Sequence, residues 1–232
     1  MDFLVLIFLV VAVYLAYGAW SRWRKLARAD FIRTYMFPKG LLEKFAKERP
    51  TLALKDQHLI ARALRQFFLA HLKSGRQFVS MPSQIVDNLW HEFILYTRDY
   101  EKFCKKAFGQ FMHHTPAVVL SSNRQDNSGL RRCWWYACLE ENINPRKATR
   151  LPLLFAIDSK LFITDGFTYS LDCKKKSKNG TTSSSHSSSP YCAGDFSSSS
   201  VDGSTEGFGE DTVSSNEAGG GDAGSGDSGG GD

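Results

Sequence analysis

A chain of 232 residues, 42% hydrophobic and 23% charged with a formal charge of +5, has the length of one or two domains, but its composition is far from uniform. Residues 1–179 carry 29 Lys/Arg against 15 Asp/Glu, whereas residues 180–232 carry nine Asp/Glu and no Lys or Arg, so a body of +14 adjoins a tail of −9. The chain holds no Gly-rich phosphate loop, nucleophile elbow or His-Glu-x-x-His helix, which excludes the enzyme classes those motifs announce.

The first predicted element is FLVLIFLVVAVYLAYGAW, residues 3–20, which are 18 residues without a charge. That is about the shortest helix able to cross roughly 30 Å of hydrocarbon. Eleven of its residues are Phe, Leu, Ile or Val. At about −0.3 to −0.6 kcal/mol each, they favour insertion by about 3 to 7 kcal/mol. A cleaved signal peptide needs a basic stretch before the apolar run and a small-residue cleavage site after it. Here Asp2 precedes the run, and Arg22, Arg24, Lys25 and Arg28 follow it. Lys/Arg excess marks the cytoplasmic side, so residues 1–22 are expected to be a transmembrane anchor with the N-terminus outside and the domain in the cytosol. Tyr14, Tyr17, Trp20 and Trp23 suit the interfacial aromatic belt, and residues 23–36 read as a basic juxtamembrane linker. Its cations, Arg22, Arg24, Lys25 and Arg28 with Arg33 beyond, are expected to contact anionic lipid, the alternative being an ordinary solvated face. In the cytosol, the five cysteines would stay reduced.

Residues 37–173 are expected to form one compact, mainly α-helical domain, long enough for a real core. Periodicity predicts a short helix over 40–48 stopped by Pro50, and a longer one over 55–73 in which Leu59, Ile60, Ala63, Leu64, Phe67, Phe68 and His71 recur at three and four. Pro82-Ser83 predicts a helix start and Gly109 the end of that single helix. A further helix is predicted over 129–142 and a short one in LPLLFAIDSKLF, followed by an extended stretch at 166–173. Residues 174–232 read as a disordered acidic tail, since 13 Gly and 15 Ser among positions 180–232 leave little to bury.

Chemistry concentrates in VDNLWHEFILYTRDYEKFCKKAFGQFMHHTP, residues 86–116. On a helix, Ile85, Val86, Leu89, Phe93, Tyr96, Tyr100, Phe103, Cys104 and Ala107 share one packing arc, which makes Cys104 a core thiol. Nearly opposite lie Asp87, His91 and Arg98. Asp87 and His91 stand at i, i+4, where a carboxylate accepts from an imidazole and orients the ring. Such a histidine serves as a metal ligand, a proton carrier or a structural pin. Arg98 would pair an anion or a neighbouring carboxylate. His113-His114 follow Gly109, and only one of two adjacent histidines in extended chain can turn back toward the site. The candidate polar site is therefore Asp87, Trp90, His91, Arg98, His113 and His114, with His91, His113, His114 and Asp87 as donors for a possible divalent metal. His91-Glu92 has Leu95 where a metalloprotease needs its second His. Cys133 and Cys138 lie about 140° apart on a helix and form no Cys-x-x-Cys pair. Cys173, His186 and Cys192 offer three donors in a polar segment, and Trp134, Trp135 and Tyr136 read as core or interface.

VDNLWHEFILYTRDYEKFC, with the later FGQFMHHTP and NPRKATRLPLLFAID, resembles the glycine-rich domain-containing protein-like family over roughly residues 45–170. Its members share an Asp-x-x-Trp-His core with a spaced Tyr and Cys, matched here by Asp87, Trp90, His91, Tyr100 and Cys104. The resemblance implies a helical domain and carries no activity. Many eukaryotic relatives read Trp-His-x-His, and Phe93 replaces that second His.

Taken together, these features describe a membrane-tethered cytosolic interaction or binding module without a legible reaction, located at a plasma or inner membrane as a single-pass protein. The alternative is a metal-dependent or general acid–base enzyme centred on His91. Expected partners are the lipid bilayer and a protein; nucleic acid is the least favoured, since the basic residues are dispersed without a binding motif.

Overall fold

A computed structural model describes residues 2–114 and 128–171 and the backbone of residues 191–192. Cys173, His186 and nearly all of the acidic tail lie outside the described residues, as do the side chain of Cys192 and those of the rest of the tail. The protein is mainly α-helical. The elements are α1 (Asp2–Thr34), α2 (Leu41–Glu48), α3 (Leu54–Lys73), α4 (Gln84–Leu95), α5 (Thr97–Ala107), α6 (Ser128–Glu140), α7 (Leu153–Lys160), and two short strands, β1 (Tyr169–Ser170) and β2 (Tyr191–Cys192).

The 33 residues of α1 form one unbroken helix, about 50 Å long at 1.5 Å per residue. Its side chains from Phe3 to Leu26 are almost all exposed, while Ala29 and Ile32, three apart, are buried in the domain core. SRWRKLARAD contains neither Pro nor Gly, so nothing interrupts the helical hydrogen bonds between the apolar run and the core. Residues 23–34 are therefore helical and continue the apolar stretch without a break. Arg33 is drawn into the domain too: its Nε and Nη2 donate to the two oxygens of Glu140 at 2.6 and 3.0 Å. Lys73 pairs with the same carboxylate.

Helix α3 is the centre of the bundle and packs against α1, α4, α6 and α7. Its sequence is apolar on more than one face, and Ile60, Ala63, Leu64, Phe67 and Phe68 are fully buried. A helix buried on opposite sides is what such a pattern requires. Around Phe68 sits an aromatic cluster in which the Phe103 ring lies 4.8 Å away and Tyr35 from the end of α1 lies 4.6 Å from Phe103.

The single helix predicted from Ser83 to Gly109 is two helices. Tyr96 has φ −80° and ψ 59°, ends α4 by donating its N–H to the Phe93 carbonyl, and starts α5 by accepting from Tyr100 N. The break re-aims α5 without changing which side is apolar, so Phe93 and Tyr100 still meet at 5.2 Å.

Buried polar side chains close the helix ends. Gln66 on α3 donates to Glu141 at 2.9 Å and accepts from Leu154 N at 2.9 Å, while Glu141 accepts from Leu153 N at 2.6 Å, which satisfies the first turn of α7. Asp158 on α7, 2% exposed, accepts from Ser83 Oγ, Gln84 N, Ile85 N and Phe167 N at 2.6 to 3.2 Å. It thereby fixes the start of α4. Gly166 permits this, because a Cβ there would stand 2.6 Å from the Asp158 Cβ.

Strand β2 pairs in parallel with β1, Tyr169 opposite Tyr191 and Ser170 opposite Cys192. A short strand thus returns to the domain inside the segment read as tail, because a local Tyr-Cys is diluted when composition is averaged over a Ser/Gly-rich stretch.

Candidate metal centre

Ser83 caps α4 through its Oγ, which accepts from Val86 N at 3.3 Å, and with Asp158 it sets the rotation of the helix. Trp90 then faces inward at 4% exposure, and Asp87 and His91 lie together on the outer face one turn apart. The His91 Nδ1 is 3.4 Å from Asp87 Oδ2.

The third donor comes from chain beyond α5. Gly109, at φ +78°, closes that helix by donating to the Cys104 and Lys105 carbonyls and turns the chain back. Residues 111–114 are then held by the motif residues of α4 and α5. Trp90 Nε1 donates to the Tyr100 hydroxyl at 3.2 Å, and that hydroxyl donates to the Met112 carbonyl at 2.6 Å. Cys104 sits beside both Tyr100 and the Met112 backbone. Two residues further on, His114 packs on the Trp90 ring at 4.5 Å and brings its Nε2 to 3.0 Å from Asp87 Oδ1. The His91 and His114 rings are 4.2 Å apart.

Asp87, His91 and His114 each present one ligand atom within 4.8 Å of the others. The side chains of Asp87 and His114 are 15% and 12% exposed and that of His91 is 51% exposed, so the cluster is walled on the protein side and open to solvent beside His91. Two imidazole nitrogens and a carboxylate oxygen form the donor set of catalytic zinc sites and of the two-His-one-carboxylate iron sites, both of which leave positions for an external ligand. The residues fit such an ion by type and convergence.

The remaining predicted residues lie elsewhere. His113 packs against Phe111 at 4.9 Å, on the far side of the extended segment from His114. It borders a cleft of about 210 Å³ shared with His71, Arg76, Met81 and Trp90. Arg98 is exposed on α5 beyond the Tyr96 break, and among the described residues it makes no hydrogen bond or ion pair. Arg22, Arg24 and Lys25 are exposed on α1, with the Arg24 guanidinium 4.6 Å above the Trp20 ring. Arg28 instead lies against the domain and donates to the Phe108 carbonyl at 3.2 Å. Sequence reasoning missed Asp158 and the Tyr100–Met112 bond. The available signal for the first was a lone carboxylate inside an otherwise apolar helix; for the second there was none, since a carbonyl acceptor has no signature in sequence.

A protein-family model described as UCP032817-like matches residues 27–196. This overturns the expected resemblance to the glycine-rich domain-containing family. The five residues that suggested it define one packing unit, a helix pair holding a loop, and a unit that small does not identify a whole chain. No curated protein matches the chain, and no solved structure does.

Proposed function

The chain belongs to the UCP032817-like family, an uncharacterised one, and we propose that it is a membrane-tethered domain that holds a divalent transition-metal ion on Asp87, His91 and His114. The observation that carries the reading is the convergence of three donor atoms within 4.8 Å, one of them delivered by a separate, internally braced segment. Hydrogen bonds alone would need neither both histidines nor the Trp90–Tyr100–Met112 brace. Asp87, His91 and His114 would hold the ion, which, when bound, would supply Lewis-acid chemistry toward water or an anionic group. In the ion-free chain Asp87 faces His91 Nδ1 at 3.4 Å and His114 Nε2 at 3.0 Å, Trp90 packs on His114, and the side of the cluster open to solvent is that of His91.

The tether is α1. Its apolar stretch runs without a break into a helix whose Ala29 and Ile32 belong to the core, which suits a retained anchor better than a removable leader. Arg22, Arg24 and Lys25, just past Trp20, support a domain on the cytoplasmic side, since Lys/Arg excess marks that side.

The test is metal loading of the full chain in detergent, by dialysis against zinc or cobalt followed by elemental analysis. About one ion per chain is expected, with cobalt giving a visible ligand-field spectrum. Affinity should fall at least tenfold in His114→Ala and in Asp87→Asn. A wild-type chain that retains no ion and melts at the same temperature with and without metal overturns the reading and leaves Asp87 as a pin between α4 and the 111–114 segment.

A further inference from the structure

Two guanidinium groups from distant parts of the chain meet at the end of α5. Arg28 Nη1 and Arg76 Nη1 both donate to the Phe108 carbonyl, at 3.2 and 3.1 Å. Arg24, one turn before Arg28, adds a third like charge to the pair. Among the described residues, no carboxylate forms an ion pair with any of the three.

Capping a helix C-terminus takes one cation, drawn by the last carbonyls and the helix dipole. A second guanidinium on the same neutral oxygen adds repulsion, and each guanidinium still has four of its five N–H donors to spend. The local backbone is shaped to allow the meeting. Arg76 sits at φ +66°, a left-handed conformation that costs a non-glycine residue free energy. Gly109 leaves room for Arg28 to lie over it, since a Cβ there would stand 2.7 Å from Nη2. Paired guanidiniums with spare donors are the usual partner of a phosphate, whose charge removes the repulsion and whose oxygens accept in bidentate fashion.

The position of the pair points to the source of that phosphate. Arg28 follows Trp20 by eight residues, about 12 Å along the helix. Helical side chains lean toward the N-terminus, here toward the bilayer. Lys105 and Lys106, exposed on the last turn of α5, extend the same cationic face, with Lys106 Nζ 4.5 Å above the Phe31 ring of α1. We propose that Arg28 and Arg76, with Arg24, bind the phosphate of an anionic phospholipid headgroup in the leaflet beneath the domain. The site rests on the membrane-anchor reading of α1 and seats the domain against the surface at a fixed rotation, because Arg76 belongs to the domain and not to the anchor.

The test uses the full chain in nanodiscs of phosphatidylcholine alone and of phosphatidylcholine with phosphatidylglycerol, with melting temperature and lipid retention by native mass spectrometry as readouts. Wild type should melt higher in the anionic discs and retain phosphatidylglycerol preferentially. Arg76→Gln should weaken that preference about fivefold, the equivalent of about 1 kcal/mol per cation near the surface. Arg76→Lys, which keeps the charge but not the bidentate fork, should restore only part of it, and both variants should keep the wild-type circular dichroism. Equal behaviour of wild type in the two discs, an undiminished preference in Arg76→Gln, or equal stabilisation of the detergent-solubilised chain by inorganic phosphate overturns the lipid site. Extraction of wild type from membranes by alkaline carbonate would remove the anchor and this site together. A carbonate-resistant chain without lipid preference loses the site alone.

Discussion

Tyr100 connects core packing to the candidate centre. Its hydroxyl accepts from Trp90 Nε1 and donates to the Met112 carbonyl, and His114 is two residues from that carbonyl. Tyr100→Phe keeps the ring and its packing on Phe93 but leaves two buried polar atoms without partners, so a loss of about 1 to 3 kcal/mol in chemical denaturation is expected. If the hydroxyl also positions His114, metal affinity should fall about tenfold in the same variant, measured by competition with a chelating dye; unchanged affinity would separate the brace from the centre. His71 carries a different consequence. Burial lowers its pKa, opposed by the hydrogen bond its Nδ1 donates to the Gln77 carbonyl at 3.0 Å. The unfolded chain takes up a proton near pH 6.5, where the folded chain does not. This contribution to stability is therefore complete above about pH 6.5 and is lost as the pH falls toward the lower folded value. His71→Gln should flatten the decline in melting temperature between pH 6.5 and 5, and a decline as steep as that of wild type would locate the acid sensitivity elsewhere.

At the scale of the elements, the helices are apolar enough to pack but rely on partners for their ends. The clearest case is α4, whose first turn is satisfied by Asp158 from α7, more than 70 residues away in sequence. Asp158→Ala strands two backbone N–H groups of α4, the Ser83 hydroxyl and Phe167 N together. A loss of about 3 kcal/mol or more is expected, along with loss of bound metal as the register of Asp87 and His91 loosens. A variant within 1 kcal/mol of wild type would show that Ser83 and water suffice. The break at Tyr96 also belongs at this scale. Residues 83–109 give one continuous amphipathic arc in sequence, and neither Gly nor Pro marks the place where it divides. The helix turns there because α5 must reach α1 as well as α4.

For the molecule as a whole, Cys104, Cys133 and Cys138 measure how tightly the bundle closes. All three are buried, and burial raises each thiol pKa, that of Cys138 to about 12. Alkylation read peptide by peptide should therefore leave these three unmodified until the chain unfolds globally, and then modify them together. Early labelling of Cys104 alone would indicate that the segment over the candidate centre opens on its own. The closed bundle also explains the acid response expected of Glu140 and Glu141. Burial pushes both carboxyls up, but bonds from Arg33 and Lys73 to the first, and from Leu153 N, Gln66 and Arg150 to the second, outweigh it and lower the pKa. Stability from these groups is present above the ordinary carboxylate pKa and drains as the pH falls through the lowered folded values, in the same direction as His71.

The sequence by itself determined the helical class, the long apolar N-terminal helix, the outer-face pairing of Asp87 with His91 and the burial of Cys104, because each is local. They follow from composition over a window or from the 3.6-residue period, which a single segment carries without its neighbours. Only the tertiary structure decided that His114 rather than His113 joins the pair, that Arg98 stands apart, that α1 enters the core as one rod, and that Arg28 meets Arg76. Each of these is a contact between segments distant along the chain, set by loop direction and by carbonyl acceptors that every residue possesses. No pattern of side chains encodes them one by one; they emerge when the helices pack.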